Sequence, residues 1–200
     1  MISTTLDLMR HGTPVGGHKY RGQIDDPLSA EGWAQMRAAV AGQCPWDVII
    51  SSPLLRCVEF ARELAQRHDL VLELDDRLKE IGFGEWEGCT ATELMQAQPD
   101  LLMQFWIDPL NHTPPGAETV AAFRDRVVAA WDQLLSRHRG RHLLVVGHAG
   151  MVRMIVRHVL EMPLANLFRI QVPNAGLTRI RVDDDGERVL PRLLFHKGSL

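Results

Sequence analysis

The feature that most constrains this chain is its alternation of short apolar runs with helical patterns. "TTLDLM" (4–9) reads as a first strand. Ser29 then opens a helical stretch with Trp33, Met36 and Val40 at helical spacing. "DVIIS" (47–51) is a compact apolar run of the buried-strand type, and Ser52-Pro53 reads as an N-cap with a proline at the first helical position. The following helix carries Leu54, Val58, Ala61 and Ala65 on one face. "LVLELD" (70–75) is a third strand, and "TATE" (90–93) has capping-box spacing. Beyond Pro109, Pro114 and Pro115, a long helix shows Val120, Phe123, Val127, Trp131 and Leu134 on one stripe. "HLLVV" (142–146) is a fourth strand, backed by a helix through Met151, Ile155 and Val159. The tail, "FRIQV" and "LTRIRVDDDGERVLPRLL", reads as strands joined by an acidic turn.

Strands separated by amphipathic helices imply βαβ units. The expected fold is therefore α/β, a three-layer α/β/α sandwich around a mainly parallel sheet. The segment from about 80 to 117 is long for one connection, so it is expected to form a lid-like excursion over one end of the sheet. No internal repeat or low-complexity linker interrupts the pattern, and 200 residues suggest a single domain that buries roughly 70% of its unfolded surface.

Charge and composition remove several classes of function. A net charge of -3 with no Lys/Arg block gives no reason to expect nucleic acid or a membrane surface as partner. Three scattered cysteines, Cys44, Cys57 and Cys89, lack CxxC spacing, so a disulfide framework or zinc ribbon is not expected and a reducing cytoplasm is. The amino terminus has no signal pattern, and no apolar run approaches the roughly 20 residues that span a bilayer.

Parallel α/β sheets place their chemistry in loops at the carboxyl ends of the strands. Here that rule collects Arg10 and His11 after the first strand, Arg56 after the second, Glu80 past the third and His148 after the fourth. Two arginines beside helix amino termini suit a doubly charged oxyanion, because their planar forks match phosphate oxygens. A histidine inside that positive cluster has its imidazolium disfavoured and is available as a neutral nucleophile. Gly12 would let the backbone turn close to the anion. Moving phosphorus onto nitrogen splits hydrolysis into two displacements, and a carboxylic acid then protonates the leaving oxygen.

Five stretches carry a resemblance: "RHG" (10–12), "YRGQIDDPLS" (20–29), "SSPLLRC" (51–57), "EIGFGEWEG" (80–88) and "VGHAG" (146–150). In this order they resemble the histidine phosphatase superfamily, in its phosphoglycerate-mutase-like branch, over nearly the whole chain. The resemblance implies that residues 1–200 form one histidine phosphatase domain. It makes His11 the phosphorylated nucleophile, Glu80 the proton donor, and Arg10, Arg56 and His148 the phosphate pocket, with Gly22, Gln23 and Ala149 at the substrate. It implies no metal and no cofactor. "FGEWEG" and "PPGAET" (114–119) are similar to α-ribazole-5'-phosphate phosphatases and related broad-specificity enzymes. Many members carry an asparagine six residues after the nucleophile. Here that position is Gly17, where His18 or the Gly16-Gly17 backbone is expected to substitute.

Other features have plainer readings. "GFGEWEG" matches no nucleotide loop, and Glu85 and Glu87 would repel phosphates; both are reserve candidates for the acid. His138 and His142 are four apart but separated by Gly140, which suggests a solvated basic turn rather than a metal site. "DDDGE" (183–187) reads as a hairpin turn. Trp33 and Trp131 belong to core stripes, whereas Trp86, Phe105 and Trp106 either pack within the lid or wall the substrate.

The expected activity is hydrolysis of a small-molecule phosphate monoester through a phosphohistidine. The alternatives are a cofactor-dependent phosphoglycerate mutase and a non-catalytic phosphate-binding regulator. From Glu80 to Phe123 the chain has seven acids and no lysine or arginine. A mutase lid should supply extra cations, so this lid suits a monophosphate with a neutral, aromatic leaving group such as α-ribazole 5'-phosphate. Lys19 and Arg21 are the nearest cations outside it.

Overall fold

The computed structural model describes residues 1–198, with side chains through 196. Among the described residues six strands form one sheet in the order β3-β2-β4-β1-β5-β6, where β1 is Ile2–Arg10, β2 Val48–Ser51, β3 Val71–Leu74, β4 His142–Gly147, β5 Leu177–Asp184 and β6 Val189–Gly198. The β3-β2-β4-β1 portion is parallel, and β5 and β6 add an antiparallel edge. The sheet is thus mixed. The parallel part coincides with the segments that alternate with helices, and the antiparallel part with the hairpin at "DDDGE".

Alternate residues of each strand serve opposite faces, as the pleat requires. Leu6, Leu8, Val48, Ile50, Leu143 and Val145 pack on one face with α5 (Val120–Arg137) and α6 (Ala149–Val159). Met9, Ile49, Leu144 and Val146 pack on the other with α1 (Ala30–Val40) and α2 (Leu55–His68). Strands apolar on both faces must be covered twice, which produces the three layers. The Trp131 stripe is buried against the first face, while Trp33 packs part-exposed at the margin of the second. The segment between β3 and α5 contributes α3 (Ala91–Ala97) and α4 (Pro99–Ile107) and closes over its own small core of Trp86, Leu94, Leu102 and Phe105. Thr90 and Glu93 form the capping box that starts α3.

Three local expectations change. Ser52 is not the N-cap of α2: the cap is Leu54, and the Ser52 hydroxyl is shared between the Leu54 N–H at 3.4 Å and His148 Nε2 at 2.8 Å. "FRIQV" is not a strand, since Leu164–Arg169 winds into a 3-10 turn that brings Phe168 over the sheet end. His138 is buried rather than solvated, with its Nε2 3.4 Å from Glu73, and His142 reaches buried Asp7 at 2.9 Å. Arg179 and Trp46 also donate to Asp7. This network pins β1 to its neighbours at the end of the sheet remote from residues 10–12.

Candidate active site

Strand register builds the site. Arg10 lies across from Gly147 and Ser51 across from Val146, so His11, Ser52 and His148 leave the sheet side by side. The His11 N–H donates to Gly147 at 2.9 Å and the Ser52 N–H to Val146 at 2.9 Å, continuing the ladder one step past the strands. The His11 and His148 rings meet edge to face with centroids 5.3 Å apart. His148 is fully buried behind His11, with its Nε2 on Ser52 Oγ and 3.6 Å from Cys57 Sγ. It supports His11 from beneath and is absent from the cavity lining.

His11 is buried, and its Nδ1 lies 2.7 Å from the carbonyl of Gly12. A carbonyl only accepts, so Nδ1 carries the proton and Nε2 keeps its lone pair. Burial, then the charges of Arg56 and Arg10, push the His11 pKa well below the usual histidine value; His148 is lowered by burial, Arg56 and His11. Both rings are neutral at neutral pH. Gly12 is required for a reason other than anion approach: a Cβ there would lie 2.2 Å from the carbonyl oxygen of Gly32 in the first turn of α1.

The two arginines are aimed by backbone carbonyls. Arg56, buried in the opening turn of α2, donates to Ile24 at 2.6 Å and Gly22 at 2.8 Å, and Arg10 donates to Val172 at 2.6 Å. The Nε–H of each is buried with no protein partner among the described residues. Buried donors are normally paired, so two orphaned guanidinium N–H groups flanking His11 fit an oxyanion ligand. Burial, ahead of the opposing charge of Glu80, lowers the Arg10 pKa to about 10, so it stays cationic at neutral pH.

Glu80 faces the same cavity. Its Oε1 accepts from its neighbour Ile81 at 3.0 Å, and its Oε2 from Gly150 at 3.2 Å, in the first turn of α6. A Cβ on Gly150 would lie 2.1 Å from Glu80 Oε1, which explains the glycine in "GHAGM". The loop carrying Glu80 is clamped from behind. Arg126 of α5 donates to the carbonyls of Arg77, Lys79 and Glu80 at 2.6, 2.7 and 2.9 Å, and pairs with Glu118 at 2.6 Å. Glu118 in turn accepts from Gly82.

Arg10, His11, Arg56, Glu80 and Gly150 line a cavity of about 200 Å³ together with Lys19, Tyr20, Arg21, Gly22, Ile81, Phe83, Trp106, Ala149, Arg153 and Phe168. Gly22 and Ala149 lie in this lining. Gln23 is not in the lining: its amide N–H goes to Glu87 and its side chain toward the Glu80 carbonyl at 3.4 Å. Neither His18 nor Gly16-Gly17 reaches the cavity; instead Arg21 ties down the carbonyls of Val15 and Gly17. Trp86 and Phe105 are lid core, while Trp106 is half exposed and reaches the cavity wall. Ser52, Arg126 and Arg153 escaped the sequence reading; only the position of Arg153, one turn beyond Gly150 on the helix after His148, signals a site residue. Among the described residues no three His, Cys, Asp or Glu side chains gather as a metal site.

The family model of the histidine phosphatase superfamily (branch 1) matches residues 6–192. The chain belongs to the histidine phosphatase superfamily. It is 32% identical over 174 residues to a bifunctional protein of Mycobacterium tuberculosis, covering 84% of this chain but only 48% of that protein, so it spans about half the length of that relative. It is 30% identical to phosphoserine phosphatase 1 of Hydrogenobacter thermophilus, covering 82% of this chain and 79% of that one. The solved structure of a mycobacterial glucosyl-3-phosphoglycerate phosphatase superposes with a TM-score of 0.87 at 26% identity, covering 98% of this chain and 100% of the other. The α-ribazole phosphatase of Shigella flexneri, at 24% identity and TM-score 0.80 over 98% of each chain, shares the phosphoglycerate-mutase-like fold.

Proposed function

We propose that this protein is a phosphatase that hydrolyses small phosphate monoesters through a phosphohistidine on His11, with residues 1–200 acting as one domain and residues 80–117 as its lid. Arg10 and Arg56 hold the phosphoryl oxygens. His11 Nε2 attacks phosphorus, the bond from phosphorus to the alcohol oxygen breaks, and Glu80, which enters the step as the carboxylic acid, gives that oxygen its proton and becomes the carboxylate. A water molecule then attacks the phosphohistidine and loses its proton to Glu80. Inorganic phosphate departs and neutral His11 is restored. His148 packs under the nucleophile and orients it; Gly22 and Ala149 shape the cavity wall.

One observation carries this reading. An imidazole with its Nδ1 proton committed to Gly12 presents Nε2 to a small cavity where two arginines have unpartnered N–H groups and one carboxylate is in reach. Phosphatase activity in a phosphoserine phosphatase and a glucosyl-3-phosphoglycerate phosphatase among its relatives supports it. The cation-free lid does not decide the substrate, because Lys19, Arg21 and Arg153 reach the cavity from other elements. The case for a neutral, aromatic leaving group such as that of α-ribazole 5'-phosphate loses its electrostatic basis.

Rapid acid or base quench during turnover of a 32P-labelled monoester, followed by peptide mapping, tests the mechanism. An acid-labile, base-stable label on His11 is expected, and His11→Ala should abolish turnover while retaining phosphate binding. Label on Ser51, or none, would refute it. Efficient interconversion of 2- and 3-phosphoglycerate would assign a mutase instead.

A further inference from the structure

Among the described residues five cationic side chains line the cavity, and four are accounted for. Arg10 and Arg56 flank His11. Lys19 and Arg21 converge on one carboxylate, Asp26, at 2.8 and 3.0 Å, and Arg21 spends its outer nitrogen on the carbonyls of Val15 and Gly17. Arg153 is different. It projects from α6 one turn past Gly150, half-buried, with its Nε–H donated to Ile170 at 2.8 Å and its guanidinium 5.8 Å from the ring of Phe168. Among the described residues no carboxylate forms an ion pair with it. Burial holds its pKa below the usual arginine value, and the charge opposing that shift is Glu80, which the reaction itself employs.

A partly buried cation without a counter-ion is costly unless a ligand supplies one. With Nε anchored on Ile170, the outer edge of the guanidinium is left for a planar, two-oxygen acceptor. Tyr20, Phe83, Trp106 and Phe168 give the cavity an aromatic wall, a low-dielectric surface that strengthens such a pair. Cavity size limits the remainder of the ligand. Drug-sized ligands fill roughly 300 to 1,000 Å³, so about 200 Å³ suits a phosphoryl group on a few-carbon alcohol better than a nucleoside.

We propose that Arg153 binds a carboxylate on the alcohol portion of the substrate, which makes the substrate class small phosphorylated hydroxy acids and hydroxy amino acids. This rests on the phosphatase reading above and adds to it a residue that reads the leaving group.

The test uses matched esters that differ only in the acidic group: O-phosphoserine against phosphoethanolamine, and 3-phosphoglycerate against glycerol 1-phosphate. p-Nitrophenyl phosphate is the reference that reports the phosphatase reading by itself. Charge-assisted, two-point pairing should favour the acidic member of each pair by roughly 10- to 100-fold in kcat/KM. Arg153→Met should bring both ratios to within about threefold of one. Arg153→Lys, which keeps the charge but not the fork, should fall between. Because the readout is a ratio, any loss common to both members cancels, and the wild-type ratios decide the matter even if a variant fails to fold. Equal turnover of both members by the wild type, a ratio unmoved in Arg153→Met, or a preference for α-ribazole 5'-phosphate over O-phosphoserine would overturn the subsite while hydrolysis of p-nitrophenyl phosphate left the phosphatase standing. Failure to hydrolyse any ester would overturn both.

Discussion

Arg126 makes no contact with the cavity, yet it holds the loop that aims Glu80. Its guanidinium bridges three consecutive-turn carbonyls, those of Arg77, Lys79 and Glu80, and the carboxylate of Glu118. In Arg126→Gln those carbonyls and a part-buried carboxylate lose their shared donor. Stripping such a network costs about 2 kcal/mol once partial exposure is allowed for, or a fall in Tm of about 4 to 8 °C for a chain of this length. Catalysis should suffer selectively. A general acid contributes about 10²- to 10⁴-fold, and a loosened one should lose roughly tenfold of that with glycerol 1-phosphate. With p-nitrophenyl phosphate, whose leaving group needs little protonation, the loss should stay within about threefold. The assay is kcat/KM for both esters at a temperature well below both Tm values. Glu118→Gln should act in the same direction, and the double variant should be less than additive, since both remove one clamp. Equal losses for the two esters would show that Arg126 merely stabilises the fold and would refute the positioning argument.

Glu80→Gln should lower kcat/KM for glycerol 1-phosphate by about 10²-fold or more while sparing p-nitrophenyl phosphate; equal losses would instead assign Glu80 a structural role, and Glu85 and Glu87, the reserve acids of the sequence, lie outside the cavity lining. Stability should fall with pH below about 6.5: His11 and His148 are held neutral in the fold, so the unfolded chain binds up to two more protons there, and ΔG should drop by about 2 kcal/mol between pH 6.5 and 5.5. Urea titrations would show this, and His11→Gln should remove about half of the slope; an unchanged slope would mean that His11 titrates normally in the fold. Inorganic phosphate at 100 times its Kd should stabilise the protein by about 2.7 kcal/mol, read as a rise in Tm that sodium chloride of equal ionic strength does not reproduce and that Arg56→Ala abolishes. A phosphate-induced rise that persists in Arg56→Ala would place the anion elsewhere.

The sequence made legible whatever depends on nearest-neighbour pattern. Strands β1, β2 and β4 are apolar on both faces, so their burial and their helical covers follow from periodicity alone. The rule that chemistry gathers at the carboxyl ends of parallel strands then placed Arg10, His11, Arg56 and Glu80 at one cavity. What remained hidden depends on partners distant in sequence. Ser52 before a proline has the local signature of a helix cap, and only the register between β2 and β4 reveals that its hydroxyl belongs to His148. His138, the C-cap of α5, reads as a surface turn beside Gly140 because Glu73, its partner, is 65 positions away on β3. Charge was the least legible property. Counting residues 80–123 described the lid correctly but not the cavity, whose wall is shared with α6 and with residues 19–22.

That sharing has a mechanical consequence. Helix α6 and its N-cap present three groups to the cavity region within about one and a half turns: His148 beneath His11, the Gly150 N–H on Glu80, and Arg153 in the cavity wall. The helix is anchored by Met151, Val152, Ile155 and Val156 in the main core, so the three cannot move independently. A rigid element holds a constellation more precisely than a loop does. On the proposed reading, the distance from the phosphoryl site to the leaving-group reader is therefore set by helix geometry, and the segment with its separate small core would enclose a substrate whose length α6 limits. A substitution that shifts α6 along its axis, such as Gly150→Ala against the Glu80 carboxylate, should disturb acid catalysis and recognition of the acidic group together, whereas a lid substitution such as Trp106→Ala should alter affinity alike for both members of each matched pair.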